Sequence, residues 1–235
     1  MRHARYLLIA ATGLIVSSAW AQSKQDPDIG SLIRIPKRAE APDKLLSKEE
    51  LSRELMNQFA RCTVDRRPGR VVEAISLPAG ADGQAFNGAV TDECLSEGRM
   101  QFSPSVVRGA VFGELYRRQQ RGMKNVTKVF PVQPLDWSAQ PQPTDSDRAR
   151  TNFFLLSMTD CIYKTKAEAV RSVVVDPVGS PAQKAGYISL IPAIGPCVPQ
   201  GQKLAFSRAM LEPAFGEYLY RSLVPAIPPV PAKAR

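Results

Sequence analysis

Histidine occurs once in this chain of 235 residues, at His3. That position lies in an N-terminal stretch expected to be removed, so the mature protein holds no imidazole. Ser-His-Asp and Cys-His mechanisms need an imidazole base and are excluded. So are zinc and iron sites with histidine ligands. Other signatures are missing too. There is no Cys-x-x-Cys, Ser-x-x-Lys, nucleophile elbow, Walker loop or Gly-x-Gly-x-x-Gly pattern. No cofactor is therefore expected. Among enzymes, carboxylate-only glycosidases survive this filter. Long apolar runs are also missing. The longest, Tyr6–Val16, has eleven residues, where a membrane-spanning helix needs about 20.

That run carries an address. Arg2 and Arg5 precede it, and Ser17-Ser18-Ala19-Trp20-Ala21 follows it. A basic start, an apolar core and a small-x-small site make up a secretory signal peptide, here expected to be cleaved after Ala21. No cysteine follows the site, so a lipoprotein anchor is not indicated. The mature chain, 22–235, holds 29 basic and 22 acidic residues, a net charge of +7. It is expected to be periplasmic or secreted, with no transmembrane segment after cleavage. Nucleic acid is not an expected partner for such a chain.

The four cysteines are Cys62, Cys94, Cys161 and Cys197. An even number in an exported chain points to two disulfides, and spacing alone leaves three pairings open. The chain, however, resembles itself. Cys62, Pro78-Ala79-Gly80 and Gln84 recur 99 residues later as Cys161, Pro177-Val178-Gly179 and Gln183. Cys94 and Gly98 recur as Cys197 and Gly201. Phe102-Ser103 and Leu115-Tyr116-Arg117 recur 104 residues later as Phe206-Ser207 and Leu219-Tyr220-Arg221. A duplicated unit of about 70–75 residues pairs Cys62 with Cys94 and Cys161 with Cys197, with four extra residues between the second pair. A zinc site from all four thiolates would bring ligands in close pairs, which these isolated cysteines do not form.

The pattern predicts an all-α protein of two tandem disulfide-clipped helical repeats, packed orthogonally or as a bundle. The expected order is a flexible arm over 22–46, unit 1 over 47–127, a proline-rich linker over 128–146, unit 2 over 147–223 and a proline-rich tail over 224–235. Ser47-Lys48-Glu49-Glu50 is a capping box opening the first helix, with Leu51, Leu55, Phe59 and Cys62 on one face. Ser103-Pro104 opens another. Gly109 and Pro213 hold matching places where both copies are expected to bend or break. Val173-Val174-Val175 admits a strand, but its counterpart reads as helix. The tail favours polyproline II and suits partner docking or a plain extended end.

Three groups are candidate functional residues. Phe-Gly-Glu occurs at Phe112-Gly113-Glu114 and Phe215-Gly216-Glu217. The best alignment puts these triplets one residue out of phase, so the glutamates are expected on a solvated helix face rather than in a catalytic pair. Arg117, Arg118, Arg121, Lys124 and Lys128 end a helix, where positive charge is favourable; they could also meet an anionic surface. Tyr116 and Tyr220, beside Arg117 and Arg221, end matching helices and read either as groove-lining or as half-buried core with a polar rim.

Cys161, Gly179-Ser180, Cys197, Gly201, Phe206-Ser207-Arg208 and Leu219-Tyr220-Arg221 give unit 2 a pattern that resembles a group of uncharacterised exported alphaproteobacterial proteins. The resemblance covers about 48–122 and 147–222. Unit 1 departs from it at Ala81 and Pro104. It implies a small helical, disulfide-containing exported protein and no particular activity. The functional expectation is a non-catalytic protein binding an envelope protein or an anionic envelope component. A small-molecule site between the units and a carboxylate-only glycan hydrolase are the alternatives.

Overall fold

A computed structural model describes residues 46–95, 103–137, 142, 145–199 and 206–223. The signal segment, the arm through residue 45, the tail 224–235, Gly98 and Gly201 lie outside the described residues. Among those described, every regular element is helical. The helices are α1 (Lys48–Arg66), α2 (Pro68–Ser76), α3 (Gly83–Ala89), α4 (Pro104–Gln120), α5 (Val126–Val129), α6 (Asp147–Val175), α7 (Pro181–Ile194) and α8 (Arg208–Leu223). They belong to one compact unit.

Local chemistry sets the boundaries. The capping box forms: Ser47 Oγ accepts from the Glu50 amide, and Glu50 accepts from the Ser47 amide. Pro68 opens α2 after Arg67 leaves helical geometry, at φ −132° and ψ 49°. Lys166, 99 residues on, adopts φ −137° and ψ 43° inside α6 without any proline. Val173-Val174-Val175 closes that helix. Gly80 and Gly179 turn the chain at φ +106° and +75°, values that favour glycine. A Cβ on Gly80 would lie 2.6 Å from Oγ of Ser146, the N-cap of α6. One on Gly179 would lie 2.8 Å from Leu46, beside the N-cap of α1. Each turn thus packs on the start of the other half's first helix.

The disulfides are Cys62–Cys94 and Cys161–Cys197, with Cα atoms 5.6 and 5.7 Å apart. Each ties a long helix to a short 3-10 turn, Asp92–Cys94 or Gly195–Cys197. The extra residues of the second loop lengthen α7 to 14 residues, against 7 in α3.

The halves share one core. Its axis is the pairing of α4 with α8. Gly109 meets Pro213, Gly113 meets Gly216, and Phe112 packs on Tyr220 at 5.8 Å between ring centroids. The order of these pairs sets the two helices running in the same direction. α4 and α8 each continue through the matching Gly109 and Pro213. Neither helix breaks there, and the small Gly109 permits the close approach of Pro213. The proline-rich stretch after α4 also packs rather than merely tethers: Phe130 and Val132 are buried, and Tyr220 donates to the Phe130 carbonyl at 2.9 Å.

Helix α1 differs from its expected face. Phe59 is buried, Leu55 is half-buried and Leu51 is 48% exposed, while Glu50, Arg53 and Asn57 are buried. These polar groups find charged and amide partners in the second half, which periodicity within α1 cannot reveal.

Candidate functional site

Three buried charge clusters organise the molecule. In the first, Glu114 accepts from Arg118 Nε at 2.9 Å, Arg121 Nη2 at 3.1 Å and Arg117 Nε at 3.2 Å. Arg61 approaches to 3.8 Å. Burial raises the Glu114 pKa, but Arg118, Arg117 and Arg61 more than offset this and hold it below the ordinary carboxylate range. In the second, Arg108 Nε donates to both oxygens of Glu217 at 3.1 Å, and its Nη1 reaches Asp82 at 3.0 Å. Arg221 joins Glu217 at 3.1 Å, and Arg148 joins Asp82 at 2.6 Å.

These clusters correct one sequence expectation. Glu114 and Glu217 are 0% and 2% exposed and do not lie on a solvated face. The close packing of Gly113 on Gly216 carries both neighbouring glutamates inward, and arginines neutralise them there.

The third cluster joins the halves. Arg53 Nη1 donates to Glu212 at 2.7 Å and to Gln183 and Tyr187 at 3.2 Å. Asn57 donates to Glu212 at 2.9 Å and accepts from Arg117 at 3.1 Å. Arg117 Nη1 donates to the Val174 carbonyl at 2.9 Å. Burial, then the nearby Glu212 carboxylate, pushes the Tyr187 hydroxyl pKa well up, so Tyr187 stays protonated. One donor of this network, Arg53 Nε, is buried without an acceptor.

Against this network lies a cleft of about 360 Å³ between α1, α4 and α8. Leu55, Met56, Val106, Ala110 and Val174 supply apolar wall. Arg53, Asn57, Arg117 and Glu212 supply the polar wall. A mostly apolar hollow with a few convergent polar groups is the usual form of a binding site. Glu212, the one carboxylate on its lining, is ion-paired to Arg53.

The basic and aromatic candidates separate. Arg117 is in the cleft wall. Arg118 is buried against Glu114 and Asp65. Arg121 keeps about half its side chain exposed while bound to Glu114, and Lys124 and Lys128 are exposed. Tyr116 and Tyr220 are buried. Arg221 is spent on Glu217 and on the carbonyls of Gln133 and Pro134. Sequence reasoning missed Arg53, Asn57, Tyr187 and Glu212. Only Gln183 carried a signal, through its match with Gln84. Among the described residues, no group of three His, Cys, Asp or Glu side chains could hold a metal ion, and no helix is long and apolar enough to cross a membrane.

No family model, curated protein or solved structure matches this chain.

Proposed function

We propose that this is an exported, non-catalytic binding protein that holds an extended apolar segment of a partner in the cleft between α1, α4 and α8. The observation that carries this reading is the cleft itself. It joins apolar walls to a polar wall of Arg53, Asn57, Arg117 and Glu212. A mostly apolar hollow with a few polar groups on one wall suits an apolar segment that carries backbone amides. Export rests on the signal-like N-terminus, and two disulfides are compatible with an oxidising compartment. A duplicated unit is part of the proposal. The repeated kink at Arg67 and Lys166, the reciprocal turns at Gly80 and Gly179 and the matched disulfides support it. So does the resemblance to exported alphaproteobacterial proteins.

A second reading follows from the same Arg53: a small amphipathic carboxylate, its apolar body in the cleft and its acid toward the guanidinium. Calorimetric titration tests both. The probes are the peptide Phe-Pro-Val-Gln-Pro-Leu, an apolar extended chain, and dodecanoate. The expected result is peptide binding that is lost in Ala209→Phe and Ser52→Phe, which add bulk at the cleft lining. Dodecanoate binding alone selects the second reading. Binding of neither probe, or binding that both variants retain, overturns the cleft as the site.

A further inference from the structure

We infer that the end of the molecule where α1 and α4 finish docks on the surface of an anionic phospholipid bilayer, with the turn over residues 121–125 entering the headgroup layer. The inference goes beyond the binding reading given above and does not depend on the cleft.

Four guanidiniums share two carboxylates at this end. Arg61, Arg117, Arg118 and Arg121 all lie within 3.8 Å of Glu114, and Arg118 also reaches Asp65 at 2.8 Å. The cluster keeps an excess of two positive charges. Its outer members carry that excess to the surface, because Arg61 and Arg121 leave 50% and 53% of their side chains exposed. Arg61 stands 3.8 Å from Glu114, too far for a hydrogen bond, so its donors are open to other acceptors. Arg66 and Arg67 follow Asp65 directly and are exposed. Neither they nor the exposed Lys124 has a carboxylate partner among the described residues. Guanidinium forks match phosphate oxygens in pairs.

The turn after α4 adds an apolar part. Residues 121–125, Arg-Gly-Met-Lys-Asn, are all exposed, and a Cβ on Gly122 would meet nothing within 4 Å. Gly122 and Asn125 hold φ +72° and +65° and carry the chain out of the helix. Met123, 47% exposed, lies between Arg121 and Lys124. From residue 115 to residue 135 the chain has no acidic side chain. An exposed apolar side chain among cations gains from leaving water and from nearby anionic headgroups. The arrangement favours a bilayer over an acidic peptide. Arg61, Arg66, Arg67, Arg121 and Lys124 line neither of the two hollows of about 360 and 410 Å³. They spread over the junction of α1 with α2 and the end of α4, a broad charged face rather than a groove for one chain.

The test is vesicle co-sedimentation of the mature chain, 22–235, in about 0.1 M salt. The probes are phosphatidylcholine vesicles and vesicles in which about a third of the lipid is phosphatidylglycerol. Binding to the anionic vesicles is expected to be tighter by at least about tenfold. Arg66→Gln/Arg67→Gln/Lys124→Gln removes three exposed charges at this end. It is expected to weaken that binding at least about tenfold, since each basic residue near an anionic surface contributes roughly fivefold. Lys48→Gln/Arg150→Gln/Lys184→Gln removes three charges in the first turns of α1, α6 and α7. It is expected to change binding by less than about threefold. Met123→Asp, which leaves every cation in place, is expected to weaken binding as well. Equal affinity for the two vesicle types overturns the inference. An equal loss in the two triple variants also overturns it, by assigning binding to net charge alone. Binding of polyglutamate without binding of anionic vesicles overturns it too, by assigning this end to an acidic polypeptide.

Discussion

Gly216 rests on Gly113 backbone to backbone: a Cβ on Gly216 would lie 2.8 Å from Gly113 Cα and 2.9 Å from the Gly109 carbonyl oxygen. The halves of the molecule meet at this point, and the approach brings Phe112, Phe215, Glu114 and Glu217 inside.

Gly216→Ala is therefore expected to cost at least about 2 kcal/mol, since overpacking a tight core costs roughly 1–3 kcal/mol and sometimes more. Gly88→Ala is the control. Its Cβ would meet nothing within 4 Å in α3, so it should be neutral or stabilise by up to about 1 kcal/mol. Urea denaturation of the two variants and the parent reads the difference.

Glu114→Gln leaves Arg117 and Arg118 buried beside a neutral group. Removing one partner of a buried ion pair costs about 3–5 kcal/mol. The loss here should fall near the lower end, because Arg118 keeps Asp65 at 2.8 Å. Thermal and urea denaturation of the variant give the value.

Acid should weaken the fold through carboxylates held below their ordinary range. The Lys184 ammonium and the Ser47 amide lower the Glu50 pKa to about 2, and arginines lower that of Glu114. In the unfolded chain both protonate near 4.5. The unfolded state therefore binds more protons in this window, and stability rises with pH through it. The contribution is complete above about pH 4.5 and lost as pH falls toward about 2. Glu50→Gln keeps an acceptor for the capping box and removes one titration, so its stability curve should be flatter between pH 5 and about 2.

Breaking the second disulfide by Cys161→Ala/Cys197→Ala frees a separation of 36 residues. The chain-entropy model assigns such a loop about 3–4 kcal/mol. Comparing denaturation of this variant with that of the oxidised parent checks the figure.

The fold was legible where local chemistry decides it. Ser47 and Glu50 announce a helix start, Gly80 and Gly179 announce turns, and the matching residues around each cysteine pair point to the pairing the structure has. The site was not legible. Arg53 and Asn57 reach Glu212 across 159 and 155 residues, and all three resemble ordinary surface residues in their own helices. Phe-Gly-Glu was visible twice, but its burial depends on two glycines meeting across the molecule. Alignment by Leu-Tyr-Arg hid that contact, because the helix pairing brings the triplets together in their own register. Arg117 and Arg118 read as a basic helix end; the buried Glu114, three and four residues earlier, is what draws them inward.

The binding cleft is tested most directly by methyl NMR of the chain titrated with Phe-Pro-Val-Gln-Pro-Leu. The account predicts shifts in the methyl signals of Leu55, Met56, Val106 and Val174, with Ile188 and Ile191 on α7 unmoved. Shifts confined to α7, or none at any cleft methyl at saturating peptide, would contradict it.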